Sequence, residues 1–132
     1  MDVRHRNGAV AELFVAAKIA EKGWNILYPL VTQSRYDIVM EKEGVFYKVQ
    51  IKKATWSKTG EFKYLQARLS GKNKETHTPY RKEDVDYFAF TDMDRVWVFP
   101  FEVIGHQTSV CLDSTNPSYK PQTKYDAKEW LL

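Results

Sequence analysis

The stretch YDIVMEKEGVFYKVQIKK, residues 36–53, decides the fold. Apolar and polar residues alternate on both sides of a Lys-Glu-Gly turn, which predicts an antiparallel β-hairpin with one face in the core. The core face is expected to hold Tyr36, Ile38, Met40, Val45, Tyr47, Val49 and Ile51. The opposite face then carries Asp37, Gln50 and Lys52.

A particular register would bring these three polar side chains together. If Asp37 lies opposite Gln50, then Glu41 faces Phe46 and residues 42–45 form a four-residue loop. In that register the Cβ atoms of the first pair lie about 5 Å apart, and Lys52 is a diagonal neighbour at roughly 7–8 Å. The sequence therefore predicts that an acid, an amide and a lysine converge on one spot.

These three groups have a common chemistry. A carboxylate and an amide oxygen at this separation can share a hard divalent cation, because Mg²⁺ prefers oxygen ligands. A lysine beside them can stabilise developing negative charge or orient an attacking water. Such a trio is typical of a site for phosphodiester hydrolysis. The competing interpretation is an ordinary hairpin whose solvent face is polar.

A fourth candidate group lies in the segment AVAELFVAAKIAEK, residues 9–22. The segment is rich in Ala and is followed by Gly23, which predicts a helix that ends there. It is apolar almost all round, so we expect it to be buried. Glu12 is the only charge in its N-terminal half, and we expect it to point at the cation. Its neighbours at helical spacing are small, namely Gly8, Ala9 and Ala16.

Further elements follow from the same patterns. Additional strands are predicted at residues 24–29, 61–69, 87–91, 96–101 and 109–112. The C-terminal YDAKEWLL, residues 125–132, is expected to add a helical turn that docks Trp130 and Leu131 on the body. A helix followed by strands predicts an α+β fold in which the N-terminal helix packs on a mixed or antiparallel β-sheet.

Length and composition restrict the class of protein. With 132 residues, 43% hydrophobic, the chain is expected to form a single domain, residues 1–132. No apolar stretch is long enough for a membrane span and no signal-peptide pattern is present, so we expect an intracellular, cytoplasmic protein. Cys111 is the only cysteine, which excludes an internal disulfide and a cysteine-based zinc site.

Positive charge is concentrated in the middle of the chain. Residues 48–82 hold ten lysines and arginines against two glutamates, a net charge of +8, while the total is +3 and the rest therefore carries −5. Such a segment favours nucleic acid as a partner, although lysines that only solubilise loops would give the same count. The residues expected to contact DNA are Arg4, Arg6, Lys53, Lys58, Lys63, Gln66, Arg68, Lys72, Lys74, His77, Tyr80 and Arg81.

Some of these residues have a more specific expected role. Gln66 and Arg68 could read base edges if the strand at 61–69 enters a major groove, but that strand could equally cover the core. Arg4 and Arg6 are expected in an N-terminal arm that reaches a minor groove. His77 has no second histidine or cysteine at metal spacing, so a phosphate contact or simple exposure is expected.

The order Glu12, Asp37 and Gln50-Ile51-Lys52 resembles the PD-(D/E)XK nuclease superfamily. Within it, the chain looks most like small intron-associated homing endonucleases that use Gln in the middle position, with archaeal Holliday-junction resolvases as wider relatives. The resemblance covers a catalytic core of about residues 8–112, and residues 113–132 are a C-terminal extension. It implies a restriction-endonuclease-like core and an Mg²⁺- or Mn²⁺-dependent endonuclease that acts on double-stranded DNA.

The resemblance also implies a role for each residue. Asp37 would be the principal metal ligand, Gln50 a ligand through its side-chain oxygen, and the Ile51 carbonyl a third. Lys52 would position the nucleophilic water, and Glu12 would complete the metal or water shell. Gln50 replaces the usual acid, so the site has one negative charge fewer.

Three alternatives for the biological role stay open at this point. The first is a site-specific homing-type endonuclease, the second a junction-resolving nuclease, and the third a DNA-binding module whose site has decayed. Cutting both strands of a duplex needs at least two copies of the chain, so a homodimer or homotetramer is expected. The aromatic-rich hairpin at residues 87–101 could bury part of such an interface or lie in the core.

Overall fold

The computed structural model describes residues 2–31, 34–69, 80–120 and 125–132. Its helices are α1 (Val3–Glu21), α2 (Phe101–Ile104) and a 3₁₀ helix (Ala127–Trp130). Its strands are β1 (Asn25–Leu27), β2 (Ile38–Lys42), β3 (Val45–Lys53), β4 (Thr55–Thr59), β5 (Phe62–Arg68), β6 (Tyr87–Thr91), β7 (Val96–Pro100) and β8 (Ser109–Ser114).

The strands form two sheets. A five-stranded sheet has the order β1-β2-β3-β6-β7, and a three-stranded sheet has the order β4-β5-β8. The first sheet is mixed, because β3 and β6 run parallel while the other neighbours are antiparallel. With α1 packed on this mixed sheet, the predicted α+β class is confirmed.

The hairpin of β2 and β3 has the predicted register. Glu41 lies opposite Phe46, as expected. Lys42 also pairs with Val45, so only two residues, 43 and 44, make the turn, and the predicted four-residue loop was wrong. Both turn residues adopt left-handed φ angles, 54° at Glu43 and 80° at Gly44. Two such residues match the twist of the flanking strands, which is why a tight turn closes this hairpin.

Helix α1 begins six residues earlier than the sequence predicted. The Asp2 side chain accepts a hydrogen bond of 2.9 Å from the backbone N–H of His5, which caps the first turn. Arg4 and Arg6 therefore lie in the helix, and the prediction of an N-terminal arm was wrong. The predicted end is confirmed, because Gly23 follows the helix with a φ of 96°.

One face of α1 packs on the mixed sheet. Val15, Ala16 and Ile19 are buried there against β2, β3 and β6. The outer face is open, with Leu13 62% and Val10 46% exposed, so the prediction of a fully buried helix was wrong. The apolar run is longer than one helix face can bury, and the remainder meets solvent.

The second face of the mixed sheet packs on the three-stranded sheet. Phe88, Phe90 and Phe99 are fully buried between them, together with Leu65 and Val110 from the smaller sheet. The predicted aromatic hairpin is confirmed as β6 and β7. Burial within this chain therefore accounts for its aromatic residues.

The strand β4 was not predicted. All five of its residues are exposed, so it lacks the apolar alternation by which strands are recognised. It is held by antiparallel pairing with β5 along its whole length. The predicted C-terminal turn is confirmed as the 3₁₀ helix, and the Trp130 ring packs 5.9 Å from the Phe99 ring centroid.

Among the described residues, none of the helices has the length and apolar character that a membrane crossing requires.

The tight turn between β6 and β7 gives a test of the fold. The fully buried Thr91 hydroxyl donates to the Arg95 carbonyl at 2.8 Å and accepts from the Met93 N–H at 2.9 Å. We expect Thr91→Val to lower the free energy of unfolding by about 1–3 kcal/mol, because both backbone groups lose their partner. Thr91→Ser keeps the hydroxyl and should lose less. Urea unfolding of both variants checks this, and equal losses would contradict it.

Candidate active site

The carboxyl groups of Glu12 and Asp37 meet at one end of the mixed sheet. Glu12 extends from α1, and Asp37 stands one residue before β2. The two carboxyls are close enough that each shifts the pKa of the other. Burial, and then the neighbouring Asp37 charge, raise the pKa of Glu12 to about 7. At neutral pH the pair therefore holds a proton part of the time, unless a cation compensates the second negative charge.

A backbone hydrogen bond fixes the Asp37 carboxylate. Its Oδ2 accepts from the Ile51 N–H at 2.7 Å, and its own N–H donates to the Val49 carbonyl at 2.9 Å. Burial raises the pKa of Asp37, whereas the Ile51 N–H and the Lys52 ammonium lower it. The sequence predicted that Asp37 pairs with Gln50, but the β2–β3 ladder ends at Ile38, and Asp37 has no ladder partner in β3. Its carboxylate binds the Ile51 N–H instead.

Gln50 and Lys52 are both half-buried in β3, on the sheet face away from α1. They lie beside Phe88 and Phe90 of β6 in the parallel register. The Lys52 ammonium is close enough to Asp37 to stabilise its charged form. The structure thus brings Glu12, Asp37 and Lys52 together, with Gln50 one residue from Ile51 in the same strand.

The small residues around Glu12 do not act as predicted. Gly8 and Ala9 are exposed, and a Cβ placed on Gly8 would meet no atom within 4 Å. Of the three, only Ala16 is buried against the sheet. The close approach of α1 to the sheet therefore depends on the buried residues Ala11, Val15 and Ala16. The first turns of the helix do not contribute to it.

The oxygen donors of this corner fit a divalent cation bound largely by water. Among the described residues, no three His, Cys, Asp or Glu side chains converge as a metal-binding group. Glu12 and Asp37 nevertheless supply two hard carboxylates, the ligand type that Mg²⁺ prefers while it keeps several waters. A cation would also offset the Asp37 charge, which after burial is the next cause of the raised pKa of Glu12. Gln50 and Ile51 hold further oxygens in the adjacent strand.

Two openings meet the site. Glu12 and Asp37 line a cavity of about 290 Å³ with Tyr28, Pro29, Val31, Ser34 and Tyr36. A larger cleft of about 530 Å³ begins at Lys52 and runs between the two sheets' edges. Among the described residues its lining is basic and polar, without an acidic side chain, and consists of Lys52, Lys53, Thr55, Ser57, Gln66, Arg68, Thr108 and Ser109. The cleft adjoins the carboxylate corner through Lys52, whose charge also acts on Asp37.

The predicted DNA-contacting residues separate into groups. Lys53, Gln66 and Arg68 converge on the cleft. Lys58 and Lys63 pair with each other across β4 and β5, which places them on the opposite face of that sheet. They therefore do not belong to the same surface as Gln66 and Arg68.

The remaining predicted contacts lie elsewhere. Arg4 and Arg6 are exposed on the first turns of α1. Arg81 is exposed, with a 2.8 Å ion pair to Glu83. Tyr80 lies beside Lys52, with the Lys52 Nζ 5.8 Å from its ring centroid. Lys72, Lys74 and His77 fall outside the described residues.

Arg35 is the residue near this site that sequence reasoning missed. Its guanidinium carbon lies 4.5 Å from the Tyr80 ring centroid, and its Nε lies 3.8 Å from the Asp84 Oδ2. A signal was present, because Arg35 is the only cation between Lys22 and Lys42 and stands two residues before Asp37. Its proximity to Tyr80 could not be read from that spacing.

Comparison with known proteins defines the class of this fold and site. A sequence model of the family described as PD-(D/E)XK endonuclease matches residues 3–131. Because the match covers nearly the whole chain, the chain belongs to the PD-(D/E)XK endonuclease family, and the resemblance noted in the sequence is confirmed. The match also extends beyond residues 8–112, where the resemblance was recognised, into the C-terminal segment.

One related protein and one related structure are similar to most of the chain. Protein 5.3 of Escherichia phage T7 is 35% identical over 120 residues, which cover 91% of this chain and 99% of that protein. The structure of a bacterial homing endonuclease superposes with a TM-score of 0.77 at 24% identity, covering 98% of this chain and 89% of the other. This superposition supports the fold described above.

The carboxyl pair predicts an unusual pH dependence of stability. The pKa of Glu12 in the folded protein, about 7, is above its ordinary value of 4.5, so the metal-free protein loses stability as the pH rises through this interval. We expect Glu12→Gln to raise the free energy of unfolding by roughly 1 kcal/mol at about pH 8 and to have little effect near pH 4.

Urea unfolding in a chelator measures this difference. The exposed Glu21→Gln on the same helix is the matched control and should show no such pH dependence. A Glu12→Gln variant that is less stable than the wild type at about pH 8 would contradict the claim that ionised Glu12 destabilises the fold beside Asp37.

Proposed function

We propose that the protein is a metal-dependent DNA endonuclease, of the site-specific homing type, and that residues 1–132 form one nuclease domain. The observation that carries this proposal is the contact of two carboxyls from distant segments, Glu12 and Asp37, beside the Lys52 ammonium. Membership of the PD-(D/E)XK endonuclease family supports the nuclease activity. The homing type is supported by the structural neighbour, which is itself a bacterial homing endonuclease.

The chain's own residues divide the chemistry between them. Asp37 is the principal ligand of Mg²⁺ or Mn²⁺, with its carboxylate oriented by the Ile51 N–H. Glu12, the Gln50 amide oxygen and the Ile51 carbonyl complete the ligand set. When bound, the ion supplies Lewis acidity at the scissile phosphate and lowers the pKa of water. Lys52 orients the attacking water and stabilises the charge that develops on the phosphoryl group.

The substrate is double-stranded DNA held by the basic cleft. Lysines and arginines there release counterions from the phosphate backbone, which supplies affinity for any sequence. Gln66 and Arg68 are exposed on the cleft face of β5 and can reach base edges. Lys53 lies at the end of β3, where it can bind a phosphate next to the cutting site.

The assembly that follows from this chemistry is a homodimer or homotetramer. Each chain contributes one carboxylate pair, whereas a duplex has two strands to cut. Two copies related by a two-fold axis present two sites with the polarity that antiparallel strands require.

Substrate preference separates this proposal from its rivals. Purified protein is incubated with randomised linear duplexes and with a four-way junction, with Mg²⁺ or with chelator. Cutting of duplexes at a recurring sequence, lost in chelator, is the expected result. Cutting confined to the junction would replace the homing type with a resolving nuclease. Binding of either substrate without cutting in Mg²⁺ would indicate a decayed module, in which Gln50 no longer serves as a ligand.

Lys52 is the residue whose loss should abolish cleavage most cleanly. We expect Lys52→Ala to reduce the single-turnover cleavage rate by roughly 100-fold or more, because the ammonium acts at the reacting phosphate. Binding of the same duplex should persist within about threefold, because Lys53 and Arg68 also line the cleft. Cleavage at the wild-type rate would remove Lys52 from the mechanism.

Gln50→Glu is the matched variant for this experiment. It keeps an oxygen ligand at position 50 and restores the acid usual in the family, so it should remain folded and at least partly active. Complete loss of metal-dependent cutting in a folded Gln50→Glu protein would show that Gln50 has another task.

The two faces of the β4–β5 sheet give a matched pair of charge deletions. Arg68→Ala removes a cation from the cleft, whereas Lys63→Ala removes one from the opposite face. We expect only Arg68→Ala to weaken duplex binding, with the slope of log affinity against log salt falling by about one. Fluorescence anisotropy over a salt series measures this. Equal effects of the two variants would contradict the assignment of the cleft as the DNA-binding surface.

A further inference from the structure

Tyr80 contacts two cations at the edge of the candidate active site. The Arg35 guanidinium carbon is 4.5 Å from its ring centroid, and the Lys52 Nζ is 5.8 Å from the same point. Cations are attracted to the electron-rich face of an aromatic ring, so these contacts restrict the positions of both side chains. Lys52 already belongs to the proposed mechanism, whereas Arg35 has no role in it so far.

The Tyr80 ring is fixed relative to the catalytic strand. It packs edge-on against the buried Phe88, with ring centroids 5.3 Å apart. Asp86, farther along the same segment, donates its N–H to the Lys48 carbonyl at 2.9 Å and accepts the Lys48 N–H on its carboxylate at 2.8 Å. The Lys48 ammonium also donates to the Glu83 carbonyl. The segment that carries Tyr80 is therefore bonded to β3, the strand of Gln50 and Lys52.

Arg35 is held from its other side by a carboxylate. The Asp84 Oδ2 lies 3.8 Å from the Arg35 Nε, and it also accepts the backbone N–H of Arg81 at 2.9 Å. The Arg35 side chain is only 34% exposed. The Arg35 guanidinium is linked to the site through the Tyr80 ring, which Lys52 also contacts.

Two positive charges against one ring repel each other, and an anion bound by both removes that repulsion. A phosphodiester offers two unesterified oxygens, and the planar fork of an arginine binds such oxygens through two hydrogen bonds. We propose that Arg35 contacts the scissile phosphate and that Tyr80 is a positioning residue, which aligns Arg35 with Lys52 for that contact.

This inference rests on the proposed phosphodiester hydrolysis and gives Arg35 a task within it. The water oxygen forms a bond to phosphorus while the bond from phosphorus to the leaving oxygen breaks. The leaving oxygen takes up a proton, and the proton of the water passes to solvent. Negative charge on the phosphoryl oxygens is greatest during this exchange, which is when the Arg35 guanidinium stabilises it most.

The test measures cleavage and binding separately. With Mg²⁺, we expect Arg35→Ala to lower the single-turnover cleavage rate roughly 100-fold and Arg35→Lys to restore part of it. With Ca²⁺ and no cleavage, Arg35→Ala should lower the salt slope of duplex binding by about one. The exposed Lys120→Ala removes the same charge from a residue that lines neither the cleft nor the carboxyl cavity, and it should change neither quantity.

Tyr80 variants distinguish positioning from simple packing. Tyr80→Phe keeps the ring face and should keep the cleavage rate, whereas Tyr80→Leu should lose about tenfold through misalignment. Both should keep the wild-type salt slope, because both retain Arg35 and Lys52.

The outcomes separate this inference from the function on which it rests. If the wild-type protein does not cleave DNA in the presence of Mg²⁺, the proposed function is wrong. The Ca²⁺ binding series then still tests whether Arg35 contacts a phosphate. Wild-type cleavage and salt slope in Arg35→Ala would overturn its phosphate contact. Equal cleavage losses in Tyr80→Phe and Tyr80→Leu would overturn the positioning role, because the ring face would then not matter.

Discussion

Two acidic side chains, Glu12 and Asp37, are held in contact in a half-buried corner, and the rest of the architecture enforces that contact. Separated in water, both carboxyls would ionise at neutral pH, whereas two carboxylates held together repel each other. Here α1 is fixed on the sheet by Val15 and Ile19, and the Asp37 carboxylate is fixed by the Ile51 N–H. The folding energy of a whole layered domain therefore maintains a locally unfavourable pair, which is a common property of catalytic sites.

The two sheets give this corner its surroundings. The mixed sheet carries the acidic pair at one end of β2 and β3, and the continuation of β3 past Ala54 into β4 builds the basic cleft beside it. Lys52 belongs to both features, because it lines the cleft and its charge acts on Asp37. Positive potential for a phosphate backbone and carboxylates for a cation are thus adjacent along one strand.

Periodicity predicted the parts of this structure that depend on local alternation. The apolar face of the hairpin followed from its alternation, and its register from the hypothesis that Asp37 lies opposite Gln50. Glu12 was found because a lone charge in an apolar helix needs a reason. The tight turn was missed because Glu43 takes a left-handed conformation that side chains other than glycine seldom adopt. Strand β4 has no apolar face, and the contact of Arg35 with Tyr80 joins segments 45 residues apart, so neither leaves a periodic signal.

Manganese relaxation in amide spectra tests most directly whether the acidic pair is a cation site. Mn²⁺ is added in substoichiometric amounts to ¹⁵N-labelled protein, and broadening is mapped residue by residue. The account predicts that the amides of Asp37 and Ile51 broaden first, that Gly105 stays sharp, and that Glu12→Gln weakens the effect. Broadening that spreads evenly over exposed acids, or that is unchanged in Glu12→Gln, would contradict it.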